Sequence, residues 1–373
     1  MRPLTRPDRF HPGAVRRGVG PWLLWALPLP VMFAALMVGR YAVPAGDVWL
    51  VLTHALHKGL VDLVRTVAEG LGLPELLGPV PPLAGVSPPV QNLVLLVRVP
   101  RVVSAALVGA NLAVAGAAYQ GVFRNPLVEG RLLGVSSGAA LGAAVAFLLF
   151  PRPEVVQTLA FLGGVGGVAL TSLLGWAFGG SVLILVIAGV LVDSFLSAAV
   201  GIVKYVADPL GTLPAITYWL LGGLSGVRMP QLVPLALASG MGLLALLAIR
   251  WHVNVLTLGE AEGESLGVRV RTARMGVVGL GTLLVASAVS VGGTISWVGL
   301  LVPHAARALV GPDYARLIPA SMGLGAALVV VLDTVARTAL TAEIPLGILT
   351  GLLGAPLFLA LFLRFLKERG GWR

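Results

Sequence analysis

The chain has 373 residues, of which 57% are apolar and only 11% are charged, and its mean hydropathy is +0.95. Soluble domains carry about 25% charged residues, so this composition excludes a water-soluble globule and indicates a membrane protein. The chain has no cysteine, which excludes disulfides, thiolate metal sites and a cysteine nucleophile. The net charge of +10 fits cationic cytoplasmic loops, and we expect no nucleic-acid partner.

The first apolar run follows a basic segment, residues 1–20, and superficially resembles a signal peptide. The run is long, contains Pro28 and Pro30, and ends without a small-residue cleavage site. We therefore interpret it as a retained first span. This interpretation predicts a cytoplasmic basic N-terminus over 1–20 and a single transmembrane domain over 21–373.

Crossing the hydrocarbon core of a bilayer takes about 20 apolar residues in a helix. Ten segments of the chain qualify, and they lack the weak alternation of barrel strands. The ten predicted spans are 21–39, 102–119, 132–150, 155–178, 181–203, 231–249, 274–291, 294–309, 315–335 and 344–366. An even number of spans puts both termini on one side, and the distribution of basic residues favours the cytoplasm. The sequence thus predicts an all-α polytopic protein of the cytoplasmic (inner) membrane with both termini inside.

The stretch 40–97 lies between the first two spans, on the predicted external side. Apolar residues of 47–70 recur at helical spacing opposite charged residues, which is typical of an amphipathic interfacial helix. Residues 74–89 are rich in proline and are expected to be irregular. The sequence assigns no role to this external insertion.

Signals for catalysis and nucleotide binding are missing. A P-loop needs a lysine followed by serine or threonine, and none of the three lysines has such a neighbour. Any ATP and magnesium would therefore bind to another subunit, and we expect neither a cofactor on this chain nor enzymatic activity. His54 and His57 lie on one face of the predicted amphipathic helix without an obvious third ligand, so we favour a surface pair over a metal site.

Charged residues are few inside the predicted spans, where charge is expensive and points to function. Asp193 lies midway along 181–203. It either faces a polar path or is hydrogen-bonded by a neighbouring side chain, and the sequence leaves both interpretations open. Asp333 and Arg337 stand four residues apart at the outer end of the ninth span, a spacing that favours local pairing.

Three polar segments between the spans are too structured to be spacers. The first, 120–138, joins spans two and three. The second, 250–274, has three acids at alternate positions followed by three arginines. This makeup fits a small cytoplasmic helix that docks on a partner, with a solvated loop as the alternative. The third, 208–228, has room for a short half-helix after span five, typical of a gate or re-entrant element.

In these segments the sequence resembles the FecCD/BtuC-type permease subunits of ABC importers for iron chelates, haem and vitamin B12. The resemblance covers roughly residues 93–366 and rests on six motifs in the expected order. The motifs are Arg98-Val-Pro-Arg101; Gln120-Gly-x-x-Arg-Asn125-Pro126-Leu127 with Leu133-Gly134-Val135-Ser136-Ser137-Gly138; Trp219-Leu-Leu-Gly222-Gly-Leu-Ser225-Gly226; Leu258-Gly259 with Ser265-Leu266-Gly267-Val268; Val298-Gly-Leu-Leu-Val-Pro303-His304-x-x-Arg307; and Pro345-Leu-Gly347-Ile-x-Thr350-x-x-Gly354-Ala355-Pro356.

The resemblance implies a BtuC-like fold of ten helices, a homodimer with a central path, two cytoplasmic ABC ATPase subunits and an external substrate-binding protein. It assigns docking of the binding protein to Arg98, Arg101 and Arg337. All three fall on the predicted outer side, where a cation has little other reason to cluster. We expect reversal of these charges to abolish docking and to leave the fold intact.

The remaining candidate residues fall into three sets. Those expected to couple the chain to its ATPase lie in the 250–274 loop: Leu258, Gly259, Glu260, Glu262, Ser265, Leu266, Gly267 and Val268. Those of the characteristic cytoplasmic motif are Gln120, Asn125, Pro126, Gly134, Ser136 and Ser137. The gate and path candidates are Asp193, Trp219, Gly222 and Ser225.

The sequence departs from the family pattern at a few positions. Gly263 and Glu264 replace residues that are often Ala and Arg in the coupling loop. Val128-Glu129-Gly130 replaces the usual Ala-Asp/Glu-Pro. We therefore leave the details of ATPase pairing open.

We predict a permease that moves a metal chelate (iron–siderophore, haem or cobalamin) by alternating access. One alternative is the same architecture carrying an oxyanion such as molybdate. Others are an ion-coupled secondary transporter and a membrane enzyme, and the lack of a catalytic constellation disfavours the last.

Overall fold

In the computed structural model, residues 21–70, 80–179 and 181–368 are described. Within these ranges the chain is predominantly helical and has no β-strand. This confirms the all-α class predicted from the sequence. The predicted basic N-terminus, 1–20, and residues 74–79 of the proline-rich stretch lie outside the described residues.

The helices are numbered in chain order. The first eight are α1 (Pro21–Ala26), α2 (Pro28–Met37), α3 (Ala45–Gly70), α4 (Pro88–Asn92), α5 (Val99–Val122), α6 (Val135–Leu149), α7 (Pro153–Ala177) and α8 (Val182–Val206). The next eight are α9 (Thr212–Leu220), α10 (Met229–Ala248), α11 (Arg250–Leu258), α12 (Glu260–Ser265), α13 (Val270–Gly292), α14 (Val298–Val310), α15 (Tyr314–Thr338) and α16 (Leu346–Glu368). A π-helical turn, Leu93–Arg98, joins α4 to α5.

The apolar helices match the predicted spans in number and order. Among the described residues, six helical runs are long and apolar enough to cross a membrane: Pro88–Val122, α7, α8, α10, α13 and α15. Four shorter apolar helices lie at Leu23–Met37, Val135–Leu149, Val298–Val310 and Leu346–Ala360. The six and the four together correspond to the ten predicted segments.

Two span boundaries differ from the predicted ones for local reasons. The first span is divided at Leu27, because Pro28 at the start of α2 has no N–H to continue the hydrogen bonding of α1. The eighth span begins at Val298, since residues 293–297 are not helical. Helix α3 covers the stretch 47–70, for which the sequence predicts an amphipathic helix.

Helix α5 is the centre of the fold. Nearly all of its residues are buried, and it packs against α10, α13, α14 and α15. A Cβ atom at Gly109 would lie 2.1 Å from the carbonyl oxygen of Gly325 in α15. One at Gly116 would lie 1.9 Å from the carbonyl oxygen of Gly299 in α14. Because lipid is as apolar as the side chains, close backbone packing of this kind holds membrane helices together.

Helix α8 differs from α5 in its surroundings. Only 22% of its most apolar stretch is buried within the chain, against 61% for the run that contains α5. Leu191 and Phe195 on α8 are 62% and 68% exposed. The bundle thus has one helix enclosed on all sides and another that presents a large apolar face outside the single chain.

The close packing of α5 predicts a specific effect of Gly109→Ala. The added methyl group meets the backbone of α15, which cannot move aside as a flexible side chain would, and overpacking costs about 1–3 kcal/mol. The matched control is Gly166→Ala on α7, where nothing lies within 4 Å of the added carbon. Thermal unfolding of the purified protein should give a lower Tm for Gly109→Ala alone. Equal Tm values for the two variants would contradict the packing.

Candidate translocation and coupling sites

The three arginines that the resemblance assigns to docking lie together where α5 begins and α15 ends. We call Arg98, Arg101 and Arg337 the arginine cluster. Their exposed fractions are only 4%, 8% and 7%. The structure therefore brings the three side chains together but places them inside the protein.

Two carboxylates hold Arg101. Its Nε–H donates to both oxygens of Asp333 at 3.0 Å, and its terminal nitrogens donate to the two oxygens of Glu343 at 3.0 Å each. The side chain of Asp333 is buried, whereas that of Glu343 is 29% exposed. Asp333 lies farther from Arg337, at 3.9 Å. The pair between Asp333 and Arg337 that the sequence predicts is therefore present. It is longer than the pair between Asp333 and Arg101.

Arg98 and Arg337 bind the end of α2. Arg98 donates to the carbonyl oxygens of Leu36 at 2.6 Å and Met37 at 3.2 Å. Arg337 donates to the carbonyl oxygen of Ala35. Carbonyl groups in the last turn of a helix lack intrahelical partners, and a cation there is favourable. The two arginines therefore fasten the first span to α5 and α15.

These contacts correct two expectations drawn from the sequence. The arginine cluster has an internal reason to exist, because it neutralises carboxylates and caps a helix. Reversal of the three charges would place three more carboxylates beside Asp333 and Glu343. That change is expected to disrupt the fold, whereas the sequence alone suggested that the fold would stay intact.

At the opposite end of the bundle, the 250–274 segment forms the two short helices α11 and α12. Gly259 separates them with a φ of +130°, and Gly267 follows α12 with a φ of +77°. Both values lie in the left-handed region, which favours glycine. At Gly259 a Cβ atom would also lie 2.6 Å from Oε2 of Glu262. The two glycines of the motif thus shape the turns around the predicted small helix.

Buried contacts fix α11 on the bundle. Val253 is fully buried. The Asn254 side chain donates to Asp313 Oδ1 at 2.8 Å and accepts from the N–H of Tyr314 at 2.9 Å, so it binds the start of α15. Hydrogen bonds from the Ala315 N–H and from Asn254 hold the pKa of Asp313 below its ordinary value. Helix α11 is therefore attached rigidly to a spanning helix.

The surface of α12 and its flanks faces outward. Leu258 and Leu266 are 54% and 53% exposed. The Ser265 hydroxyl donates to the carbonyl oxygen of Glu262 at 2.7 Å, and Val268 is buried. The coupling candidates thus divide into an exposed set that includes Glu260, Glu262 and both leucines, and a set that shapes the turn.

The 120–138 segment folds as a packed turn. The Gln120 side chain donates to the carbonyl oxygen of Gly299 at 3.3 Å and accepts from Arg307 at 3.2 Å, so it links α5 to α14. Asn125 Oδ1 accepts from the N–H of Leu127 at 2.9 Å and closes the local turn. The exposed Pro126 lies within that turn.

The second half of the same motif begins α6. Gly134 has a φ of +77°, and its carbonyl oxygen accepts from the Ser137 hydroxyl at 3.3 Å. Ser136 is half-buried. The motif residues therefore serve the geometry of the turn and of the helix start.

The gate and path candidates occupy two places. Trp219 and Ser225 line one cavity of about 350 Å³, and Gly222 lies in the turn between them. Asp193 is half-buried on α8, and within the described part of the chain it has no hydrogen-bond or ion-pair partner. The sequence leaves two interpretations of Asp193 open, a polar path and a hydrogen bond from a neighbouring side chain. Among the described residues of one copy, no such hydrogen bond is found.

Three irregular segments join around Gly222, and we call this junction the backbone seam. The N–H of Gly223 donates to the Gly292 carbonyl oxygen at 2.8 Å. The Gly222 carbonyl oxygen accepts from the N–H of Leu346 at 2.8 Å, and the N–H of Gly347 donates to Leu221 at 3.0 Å. Gly222 has a φ of +72°, and its Cβ atom would lie 2.7 Å from the Thr294 carbonyl oxygen. The seam satisfies backbone groups that would otherwise face an apolar interior.

Two contacts escaped sequence reasoning because their partners are distant in the chain. Asn254 binds Asp313 and Tyr314 at the start of α15. The one sequence signal at this contact is Asp313 itself, because an aspartate just ahead of an apolar helix is a common N-cap. Glu129, noted only as part of a departure from the family pattern, lies beside the backbone N–H of Trp297. Trp297 has a φ of +72°, a rare backbone conformation for a residue other than glycine.

Apolar helices of spanning length around one buried helix, with a helix pair exposed at one end, are the architecture of a polytopic membrane protein. A profile of the FecCD transport family matches residues 27–364. The chain belongs to the FecCD transport family, whose members are permease subunits of ABC importers.

Individual relatives agree with this assignment. The chain is 38% identical to the molybdate import system permease protein MolB of Haemophilus influenzae, over 77% of this chain and 85% of MolB. It is also 38% identical to the cobalamin import system permease protein BtuC of Halobacterium salinarum, over 86% of this chain and 85% of that protein. A solved inward-facing structure of a metal-chelate type ABC transporter has a TM-score of 0.77 at 33% identity, covering 92% of this chain and 98% of the other. ATP hydrolysis belongs to a separate subunit of such importers.

The geometry at Arg101 predicts unequal effects for its two carboxylates. Asp333→Ala leaves a buried arginine short of a partner, and breaking a buried ion pair costs about 3–5 kcal/mol. Glu343→Ala removes a partly exposed partner, and an exposed pair contributes about 0.2–1 kcal/mol. Thermal unfolding should show the larger fall in Tm for Asp333→Ala. The opposite order would contradict the assigned network.

Proposed function

We propose that the chain is one of two identical permease subunits of an importer for a metal chelate, and that the importer works by alternating access. The cargo class is an iron–siderophore, haem or cobalamin. The observation that carries this proposal is the α11–α12 pair, which is exposed and yet firmly attached to the bundle. A surface of this kind can pass the motion of a partner into the spanning helices.

The α11–α12 pair is proposed to contact a cytoplasmic ATPase subunit. Its exposed leucines and glutamates offer an apolar and acidic docking surface. The bond between Asn254 and Asp313 connects that surface to α15, and Val253 connects it to α5. This assignment places the α11–α12 end of the bundle in the cytoplasm. The positive-inside distribution of basic residues supports the same orientation.

A second copy is proposed to cover α8. A carboxylate at the centre of a bilayer costs about 2.5–3.5 kcal/mol on insertion scales, so Asp193 is unfavourable against lipid. Its half-buried position on the exposed helix α8 favours a polar path shared by two copies. The cavity lined by Trp219 and Ser225 supplies a second stretch of that path.

The external binding protein is proposed to dock at the end that carries the arginine cluster. Glu343 already pairs with Arg101 from a partly exposed position. An acidic side chain of the binding protein would compete with Glu343 for this guanidinium. Docking would then be guided by charge and weakened by salt.

The cargo is proposed from the relatives. The structural match is to a metal-chelate type transporter, and the cobalamin permease aligns over more of this chain than the molybdate permease does. Molybdate is the second candidate, because MolB is equally identical over its aligned part. The specificity is expected to lie largely in the binding protein.

Coupling can be tested in the complete importer reconstituted in vesicles. Leu266→Ala is expected to lower cargo-dependent ATP hydrolysis and uptake several-fold, since it removes an exposed apolar contact. Leu244→Ala is the matched control, because Leu244 is 69% exposed on α10, outside α11, α12 and the 208–228 segment. Iron–siderophore, haem, cobalamin and molybdate are compared as cargo, each with its binding protein. Stimulation by molybdate alone would overturn the chelate proposal, and uptake driven by a proton gradient without ATP would favour a secondary transporter.

Docking can be tested at Glu343, which would compete with the binding protein for Arg101. Substitution of the buried arginines themselves would disturb the fold. Glu343→Ala is expected to tighten binding of the external protein, because it leaves Arg101 available while Asp333 still holds it. Glu154→Ala, at another exposed acid, is the control. Affinity is measured on the reconstituted permease at low and moderate salt. Unchanged or weaker binding for Glu343→Ala would contradict a role for Arg101 in docking.

A further inference from the structure

A deep groove lies between α7 and α13, apart from the arginine cluster and the backbone seam. This open groove has a volume of about 1160 Å³, somewhat above the roughly 300–1,000 Å³ of common small-molecule pockets. Its walls are mainly apolar and include Val165, Val168, Leu173, Val278 and Leu283. The groove opens sideways, since Leu173 is 65% exposed.

The groove runs along the helix axes from the α11–α12 end towards the bundle centre. On α7 its lining extends from Phe161 to Trp176, a length of about 22 Å at 1.5 Å per residue. Half of the hydrocarbon core of a bilayer is about 15 Å thick. The apolar part therefore has the length and direction of an acyl chain in one leaflet.

The mouth of the groove is polar and carries both signs of charge. Arg271 lies over the ring of Trp176, with its guanidinium carbon 4.4 Å from the ring centroid. Arg274 pairs with Glu260 at 2.5 Å. The Nε of Arg274 is buried and has no hydrogen-bond partner among the described residues. Glu264 completes the charged lining.

The arginines at the mouth can form further hydrogen bonds to a phosphate group. Arg271 makes no ion pair within the described residues, and Arg274 lines the groove with a side chain that is 13% exposed, so both guanidinium groups can donate to a phosphate. Glu260 is already occupied by Arg274, whereas Glu264 is exposed. Two arginines and two glutamates leave the mouth without excess charge, which suits a zwitterionic headgroup better than an anionic one. A mouth that combines charged side chains with a tryptophan at the end of a spanning helix matches the headgroup level of a membrane.

We propose that the groove between α7 and α13 binds a phospholipid with a phosphoethanolamine headgroup. The phosphate accepts hydrogen bonds from Arg271 and Arg274, the ammonium group binds Glu264, and one acyl chain fills the apolar part. Because α12 contributes Glu260 and Glu264 to the mouth, the bound lipid would brace α12 against α7 and α13.

The test uses the assembled importer, with its ATPase, in nanodiscs of phosphatidylcholine. Phosphatidylethanolamine with a dibrominated acyl chain is added at low mole fraction, because bromine quenches tryptophan fluorescence on contact. The chain has eight tryptophans, so the quenching of Trp176 is taken as the difference between the unmodified protein and Trp176→Phe. Brominated phosphatidylglycerol and phosphatidylcholine are compared in the same way.

The expected result is quenching of Trp176 by phosphatidylethanolamine well above its mole fraction. Arg271→Gln should lower the apparent affinity about fivefold. Glu264→Gln should remove the preference for ethanolamine over choline and leave the phosphate interaction. Arg269→Gln is the matched control, since Arg269 is an exposed arginine two residues away that does not line the groove.

Two results would overturn the proposal. Quenching proportional to mole fraction for every headgroup would identify Trp176 as an ordinary lipid-facing residue. Quenching seen only after the ATPase has been removed would show that a protein surface covers the groove. Both readouts are independent of the cargo and of the docking of the binding protein.

Discussion

The fold depends on the close backbone contact between α5 and its neighbours. Helices in a membrane gain little from burying apolar side chains, because lipid is just as apolar. Glycine at Gly109 and Gly116 instead lets α14 and α15 approach until backbone atoms touch. This approach turns α5 into a common core element. The same packing brings partners to the buried charges at the ends of α5 and α15.

The arginine cluster illustrates this dependence. Arg101 reaches Asp333 and Glu343 across 232 and 242 residues of sequence, and both contacts exist because α5 and α15 are packed side by side. The same packing lets Arg98 and Arg337 cap α2. A surface role for these side chains therefore has to compete with contacts that already hold this end of the bundle together.

Local signals in the sequence predicted the elements well. Apolar runs of spanning length located the ten segments, alternating acids before three arginines indicated α12, and the stretch after span five indicated α9. Long-range partners were out of reach. Nothing near Asn254 indicates that it binds Asp313, and no single-sequence pattern shows that α7 and α13 leave a groove between them. The partners of Arg98 and the pairing of Arg101 with Asp333 and Glu343 were missed for the same reason, whereas the spacing of Asp333 and Arg337 predicted their contact.

The backbone seam limits how α9, the proposed gate element, can move. Hydrogen bonds tie the end of α9 to residues 292–294 and to the first turn of α16, and at Gly222 no side chain intervenes. Breaking one segment away would strand several peptide groups in an apolar setting at once. The short helix therefore cannot swing alone like a hinged flap. We expect it to move together with the start of α16 and the end of α13, because shared backbone hydrogen bonds join the three.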